Sequence, residues 1–453
     1  MRLWGFVLGI GISFAQSWQD VGGGTNFPVH ALLSWGGYLY VGGRFTAVDG
    51  TALQAQGIAR WTGNGWQAIA NPGAGGHGKV NVMTVFHGKL IVGGDFTGIG
   101  GSSANNLAAY DPNTNTWSSV GGGVNGEVQA LYVYDGELLV GGNFTRVGLA
   151  PNDQPIAFFA RWDGTSWKAP DPRSPSYLLV GGNPLAFAEY NGQLYVGGNF
   201  TAAYTNQSDK AYIAVWDKAT QALLPAYPVG QAPDNSVWAL AVWNNKLYIG
   251  GEFQTIGGVA SPRLAALNGG TYEAVLGSPV PGQVQVLLPT DSALYVSGSF
   301  TSVGGQMVNR IARLSTSGTW SALGSGIGPL IVNALALHNG YLYAGGNFTQ
   351  DGAGNALAYL AVFSVPAALS RATRRPLLVR YESTFLTLTA DEAFQGTLTL
   401  ANPLGQVLYT RPLRLEPHAS ETIDLSAWPV GFYLVSISTG GQPAFTMKVP
   451  RYP

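Results

Sequence analysis

Leu39-Tyr40-Val41-Gly42-Gly43-Arg44-Phe45-Thr46 decides the fold, because the chain repeats this phrase seven times. It returns as Leu90-Ile91-Val92-Gly93-Gly94-Asp95-Phe96-Thr97, Leu138-Leu139-Val140-Gly141-Gly142-Asn143-Phe144-Thr145 and Leu194-Tyr195-Val196-Gly197-Gly198-Asn199-Phe200-Thr201. The other copies are Leu247-Tyr248-Ile249-Gly250-Gly251-Glu252-Phe253, Leu294-Tyr295-Val296-Ser297-Gly298-Ser299-Phe300-Thr301 and Leu342-Tyr343-Ala344-Gly345-Gly346-Asn347-Phe348-Thr349. The first glycine falls at 42, 93, 141, 197, 250 and 345, with Ser297 in its place in the sixth copy, so the unit is 47 to 56 residues long. Self-similarity at such a period marks a repeat architecture.

Six residues before each of these positions stands a two-residue turn, such as Gly36-Gly37, His87-Gly88, Asp135-Gly136, Asn191-Gly192 or Asn339-Gly340. Gly, Asn and Asp tolerate the positive φ of tight hairpin turns, so each copy opens with a hairpin of two strands, a and b. A third strand follows, as in Ile58-Ala59-Arg60-Trp61 or Phe159-Ala160-Arg161-Trp162. A fourth is marked by an aromatic after a turn: Trp66, Trp117, Trp167, Tyr272 and Trp320, with the fourth copy blurred around Leu223 to Tyr227. The seventh copy lacks this strand, whereas Trp18-Gln19-Asp20-Val21-Gly22-Gly23-Gly24 precedes the first copy and matches Trp117-Ser118-Ser119-Val120-Gly121-Gly122-Gly123. A circular array closes in this way, leaving no open edge. The expected fold is all-β: a seven-bladed β-propeller over 16–365, closed by an N-terminal strand.

Composition narrows the function. Among 453 residues, Lys+Arg 23 against Asp+Glu 24 gives a net charge of -1, with no basic surplus to hold a polyphosphate. Cysteine is absent, which excludes disulfides, thiol nucleophiles and Cys-ligated metals, and five scattered histidines (His30, His77, His87, His338, His418) suggest no metal cage. No cofactor is expected. At the N-terminus Arg2 precedes an apolar run to Phe14, and Ser13-Phe14-Ala15 has the small-x-small pattern of a signal peptidase site. Residues 1–15 therefore read as a signal peptide, with no transmembrane segment expected in the mature chain.

The Gly-Gly doublet and the later aromatic resemble kelch-type propellers. Gly-Gly-x-Phe-Thr is still more similar to the propeller repeats of fungal cortical marker and bacterial delta-60-like surface proteins. Kelch-like copper radical oxidases need a crosslinking cysteine that this chain lacks. Asp163-Gly164-Thr165-Ser166-Trp167 and Ser315-Thr316-Ser317-Gly318-Thr319-Trp320 resemble sialidase Asp-boxes, which are turn structure and imply no catalysis.

After Ser364 the composition changes. Residues 366–380, with Arg371, Arg374, Arg375 and Arg380, read as a linker, and 381–453 as a small immunoglobulin-like β-sandwich of five or six strands. Gly405-Gln406-Val407, Asp424-Leu425-Ser426, Pro429-Val430-Gly431-Phe432-Tyr433-Leu434-Val435 and Phe445-Thr446-Met447-Lys448-Val449 resemble the C-terminal sorting domain (type A) of type IX secretion cargo. That resemblance implies an address read by the type IX secretion machinery, with Gly405, Gly431, Tyr433 and Lys448 in the signal. It also implies a propeller secreted or attached to the outer-membrane surface.

Fold alone does not fix function. Twelve residues before each first-Gly position lie His30, Asn81, Gln129, Leu185, Trp238, Gln285 and Asn333, at the opening of the innermost strand. Five are polar among apolar neighbours, which suits a ring at the channel mouth. They either satisfy neighbouring backbone groups and water, or form a ligand-binding ring of His30, Asn81, Gln129, Trp238, Gln285 and Asn333, in which Trp238 stacks on a sugar or caps a peptide. Loops on the same face add Phe27, His77, Asn152-Asp153-Gln154, Tyr204-Thr205-Asn206, Asp209-Lys210 and Asp234-Asn235 as candidates. The column after Gly-Gly, including Asp95 and Glu252, reads as turn chemistry, and no catalytic residues stand out. The leading expectation is a secreted, surface-associated module that binds glycan or protein in adhesion or interaction. An extracellular polysaccharide-active enzyme and a purely structural envelope protein are the alternatives.

Overall fold

The computed structural model describes residues 17–69, 78–173, 179–203, 211–227, 231–278 and 281–364, and then the strands 377–382, 385–390, 394–401, 407–415, 420–424, 431–439 and 442–451. The expected signal peptide, His77, Tyr204-Thr205-Asn206, Asp209-Lys210, Gly405 and His418 lie outside the described residues. The chain divides into two compact units, Met1–Leu369 and Ser370–Pro453.

The first unit is a seven-bladed β-propeller, and the described residues contain no helix. Each blade is a four-stranded antiparallel sheet; the first runs Val29–Trp35, Tyr38–Gly43, Ile58–Trp61 and Trp66–Ala68. The innermost strands are Val29–Trp35, Lys79–Phe86, Glu127–Tyr134, Pro184–Tyr190, Val237–Trp243, Val284–Pro289 and Val332–His338. Each packs on the next, and the seventh packs on the first. In the seventh sheet the outermost strand is Trp18–Asp20, paired antiparallel with Leu360–Ser364 in the register Trp18 to Phe363 and Asp20 to Ala361. The fourth blade, blurred in sequence, has an ordinary outer strand at Ala222–Pro225.

The repeated phrase is a device for packing blade on blade. A Cβ at Gly42 would stand 2.7 Å from Val80 of the next blade, and one at Gly43 would strike the Pro28 carbonyl. The pair is glycine because a neighbouring blade and the strand's own lead-in both approach its backbone. The phenylalanine two residues on is at most 5 % exposed in every copy. Its carbonyl accepts the N–H of the residue that precedes the third strand, at 2.8 to 3.2 Å in all seven blades. That residue is Gly57, Asn106, Phe158, Tyr212, Arg263, Arg310 or Tyr359, always with φ between 62° and 72°. A left-handed conformation costs a non-glycine residue on the order of 1 kcal/mol, so the hydrogen bonds on either side must hold it there.

The outer aromatics tie each blade to the one before it. The indole nitrogens of Trp117, Trp167 and Trp320 donate to the carbonyls of Ile69, Gly121 and Leu276 at 2.7 to 2.9 Å, and the Tyr272 hydroxyl donates to Ala226 at 2.8 Å. In the fourth blade the donor is Trp216 on the third strand, reaching Pro170 at 3.1 Å, which is why no aromatic marks its outer strand. Trp66 reaches Gly22 at 2.9 Å, and Trp18 reaches Leu323 of the sixth blade at 2.9 Å.

The second unit contains two antiparallel sheets. One orders Leu377–Glu382, Phe385–Ala390 and Ser420–Asp424; the other orders Val407–Leu415, Phe394–Ala401, Gly431–Thr439 and Gln442–Arg451. Leu388, Leu398, Leu400 and Leu413 are fully buried. The strand Leu377–Glu382 begins inside the stretch 366–380 that sequence assigns to a linker. Gly431 and Tyr433 lie opposite Arg451 and Val449, and Lys448 lies opposite Leu434.

Candidate functional site

The seven ring positions share a backbone irregularity that sequence reading did not reveal. In every innermost strand the register with its neighbour slips across one residue, and that residue is His30, Asn81, Gln129, Leu185, Trp238, Gln285 or Asn333. Each is therefore the extra residue of a β-bulge, released from ladder pairing so that the strand bends and its side chain is re-aimed. All seven are half-buried. The available signal was a polar residue flanked by apolar ones where strict alternation fails.

The ring splits into two kinds of member. Asn81 Nδ2 donates to Glu127 Oε1 at 2.8 Å and to the Val128 carbonyl at 3.0 Å, both on the third blade. Asn333 Nδ2 donates to Asn347 Oδ1 at 2.9 Å and to the Val29 carbonyl at 3.3 Å, crossing from the seventh blade to the first. Gln129 Oε1 accepts from Asn183 Nδ2 at 2.8 Å. These members serve as stitches between blades. On the fifth blade, by contrast, the buried Trp238 Nε1 has no hydrogen-bond partner. An indole N–H buried without an acceptor costs about 1–3 kcal/mol.

Charge gathers on the stitched side. Lys79 Nζ lies 2.6 Å from Glu127 Oε1. Burial pushes the Glu127 carboxyl up, but hydrogen bonds from Lys79, Asn81 and Gln129 with the Lys79 charge outweigh it and hold the group below its usual range. Burial, followed by the Lys79 and Arg44 charges, pushes His30 from its usual 6.5 down to about 4, with Glu127 opposing. Between those two values an unfolded chain takes up a proton that the folded chain refuses, so stability is lost as pH falls from 6.5 to 4. Allowing for partial exposure, the loss attributable to His30 is about 2 kcal/mol. Thermal melts of the native protein and His30→Gln at pH 7 and pH 4 check this: the variant should lose less stability, and equal losses would refute it.

The loop candidates are dispersed. Phe27 is exposed, and Asp153 is engaged by Arg146. Asp234 and Asn235 line a cleft of about 340 Å³ with Glu252, Gln254, Arg263 and Gln283. The column after Gly-Gly serves the loop backbone in two blades, where Asn199 Oδ1 accepts from Asn183 N at 2.8 Å and Ser299 Oγ from Gln283 N at 3.0 Å. In the Asp-box-like segment the Asp163 carboxylate accepts from Thr165 and Ser166, at 2.7 to 2.9 Å, as a turn clamp. Among the described residues no three His, Cys, Asp or Glu side chains gather as metal ligands would, and no helix is long and apolar enough to cross a membrane.

Two family models name β-propeller domains. The family model for the Rax2 C-terminal beta propeller domain matches residues 60–152, and that for a beta-propeller domain of unknown function (DUF5122) matches 291–319. This chain carries β-propeller repeats. No curated protein sequence matches it. Similar solved structures include a chain in a crystal structure of the mitotic checkpoint complex, at 15% identity and TM-score 0.47, covering 81% of this chain and 99% of that one. Another is catalytically inactive virginiamycin B lyase from Staphylococcus aureus with quinupristin, at 10% identity and TM-score 0.46, covering 77% and 99%.

Proposed function

We propose that this protein is an exported, surface-associated recognition module whose propeller binds a glycan or protein ligand at the end of the channel that carries the ring of bulged residues. A β-propeller is compatible with a binding or interaction role, and the observation that favours this site is the buried, unpartnered indole nitrogen of Trp238. The half-buried indole supplies stacking area, and a small rotation that opens its N–H would let a sugar hydroxyl or a peptide carbonyl supply the missing acceptor. Export rests on the leader-like 1–15 and on the resemblance of 381–453 to a type IX sorting domain, read as an immunoglobulin-like sandwich removed or retained at the surface. The kelch-like or surface-protein character of the repeats and ring closure by the N-terminal strand belong to the same proposal.

A screen of the propeller-bearing protein against a glycan array and surface-polysaccharide fractions, with product analysis on each hit, tests the reading. Trp238→Ala should weaken the best ligand by about tenfold, the equivalent of one buried aromatic and its hydrogen bond, with the fold unchanged. Unchanged affinity would sink the channel-mouth site. Turnover of a hit would replace recognition with catalysis.

A further inference from the structure

The fifth blade departs from the first and third where a cleft opens. In the first blade Asn26 Oδ1 accepts from the backbone N–H groups of Thr46 and Ala47 at 2.9 and 3.0 Å, and its Nδ2 donates to Thr46 Oγ1 at 2.9 Å. The third blade repeats the arrangement with Asn125, Thr145 and Arg146. In the fifth, Asp234 takes the place of the asparagine and accepts from Gln254 N at 2.7 Å, while Gln254 stands where six copies have threonine. Asp234 Oδ1 also accepts from Thr255 N at 3.3 Å, so the backbone clamp is kept, but the Asn–Thr side-chain pair that fills this corner in the first and third blades is absent. Gln254 turns toward Arg263: with its amide oxygen facing the guanidinium, it accepts from Nη1 at 2.6 Å and Nη2 at 2.9 Å.

We infer that this cleft between the fifth and sixth blades is a binding site for a neutral, hydroxyl-rich saccharide unit. Its volume of about 340 Å³ lies in the range of small-molecule sites, roughly 300–1,000 Å³. Apart from Gly282, every residue lining it has a polar or charged side chain, which disfavours a lipid or an apolar side chain. The Arg263 guanidinium is held by the carbonyls of Glu252 and Phe253 and by no carboxylate among the described residues, and its buried Nε has no partner. The lining sets two carboxylates, Asp234 and Glu252, against the one guanidinium of Arg263, so it disfavours an anion while the guanidinium offsets part of its pull on a cation. Vicinal hydroxyls both donate and accept, so they satisfy acceptors at Glu252 and Asp234 together with the amides of Asn235 and Gln283. The inference rests on the recognition reading of the propeller, but it needs nothing from Trp238.

The test titrates the full chain with neutral gluco-, galacto-, manno- and xylo-oligosaccharides, alongside oligomers of glucosamine and galacturonate. The Asp234→Asn, Gln254→Thr double variant rebuilds the pair already present in the first and third blades. It should keep its melting temperature and lose at least tenfold in affinity for the neutral oligomer that binds, while Trp238→Ala keeps that affinity. Should the double variant fail to fold, Glu252→Gln carries the same direction of effect, with a loss of at least fivefold. Binding by no neutral oligomer, binding confined to a charged oligomer, or affinity unchanged in the rebuilt variant would each overturn the inference. Loss in Trp238→Ala with retention in the rebuilt variant would overturn the cleft and leave the channel mouth standing.

Discussion

Trp18→Ala is expected to cost about 3–5 kcal/mol, the usual range for removing a buried tryptophan. Trp18 is 3 % exposed, its ring lies 5.1 Å from that of Phe363, and its indole nitrogen donates to Leu323 at 2.9 Å. It stands on a three-residue strand held by Leu360–Ser364, so little else keeps that strand in place. Losing it would expose the edge of Leu360–Ser364, which a sheet edge normally tolerates only when covered or charged. Urea unfolding measures the loss, and the proposed closure predicts more than for Trp66→Ala, whose ring is only half-buried. If Trp18→Ala costs under about 1 kcal/mol, the N-terminal strand does not close the ring.

The architecture was legible because seven copies must each solve the same packing problem with the same residues. Gly42 and its counterparts admit the next blade, and Phe45 and its counterparts seal the space behind, so both columns survive where the loops diverge. Two recurrent features left no such trace. The left-handed residue before each third strand ranges from Gly57 to Phe158 to Arg310, because backbone hydrogen bonds, rather than side-chain preference, impose it. The bulge at His30 and its equivalents hides for another reason: an inserted residue only shifts the apolar alternation by one, which in so short a strand resembles an irregular turn. The cleft is harder still. Gln254 in place of threonine was visible, yet Arg263 and Gln283 come from other loops, and only the fold brings them to Asp234 and Glu252.

Gly345→Ala should destabilise the propeller by about 3 kcal/mol, at the upper end of the cost of overfilling a packed interior. An added methyl would overlap Val29, with 2.9 Å to its Cβ, and Val29 is fully buried at the junction of the seventh and first blades. Relief requires the two blades to part, but Asn333 ties them through the Val29 carbonyl. The sixth blade supplies the internal control, since Ser297 occupies the same column, fully buried, with its hydroxyl unpartnered. That junction has already adjusted to a Cβ. Ser297→Ala should therefore stabilise by about 1 kcal/mol, the cost of a buried hydroxyl without a partner. Opposite signs at two equivalent positions would show that each junction is packed to its own residues. Equal and small effects would mean that the glycine column reflects backbone conformation alone.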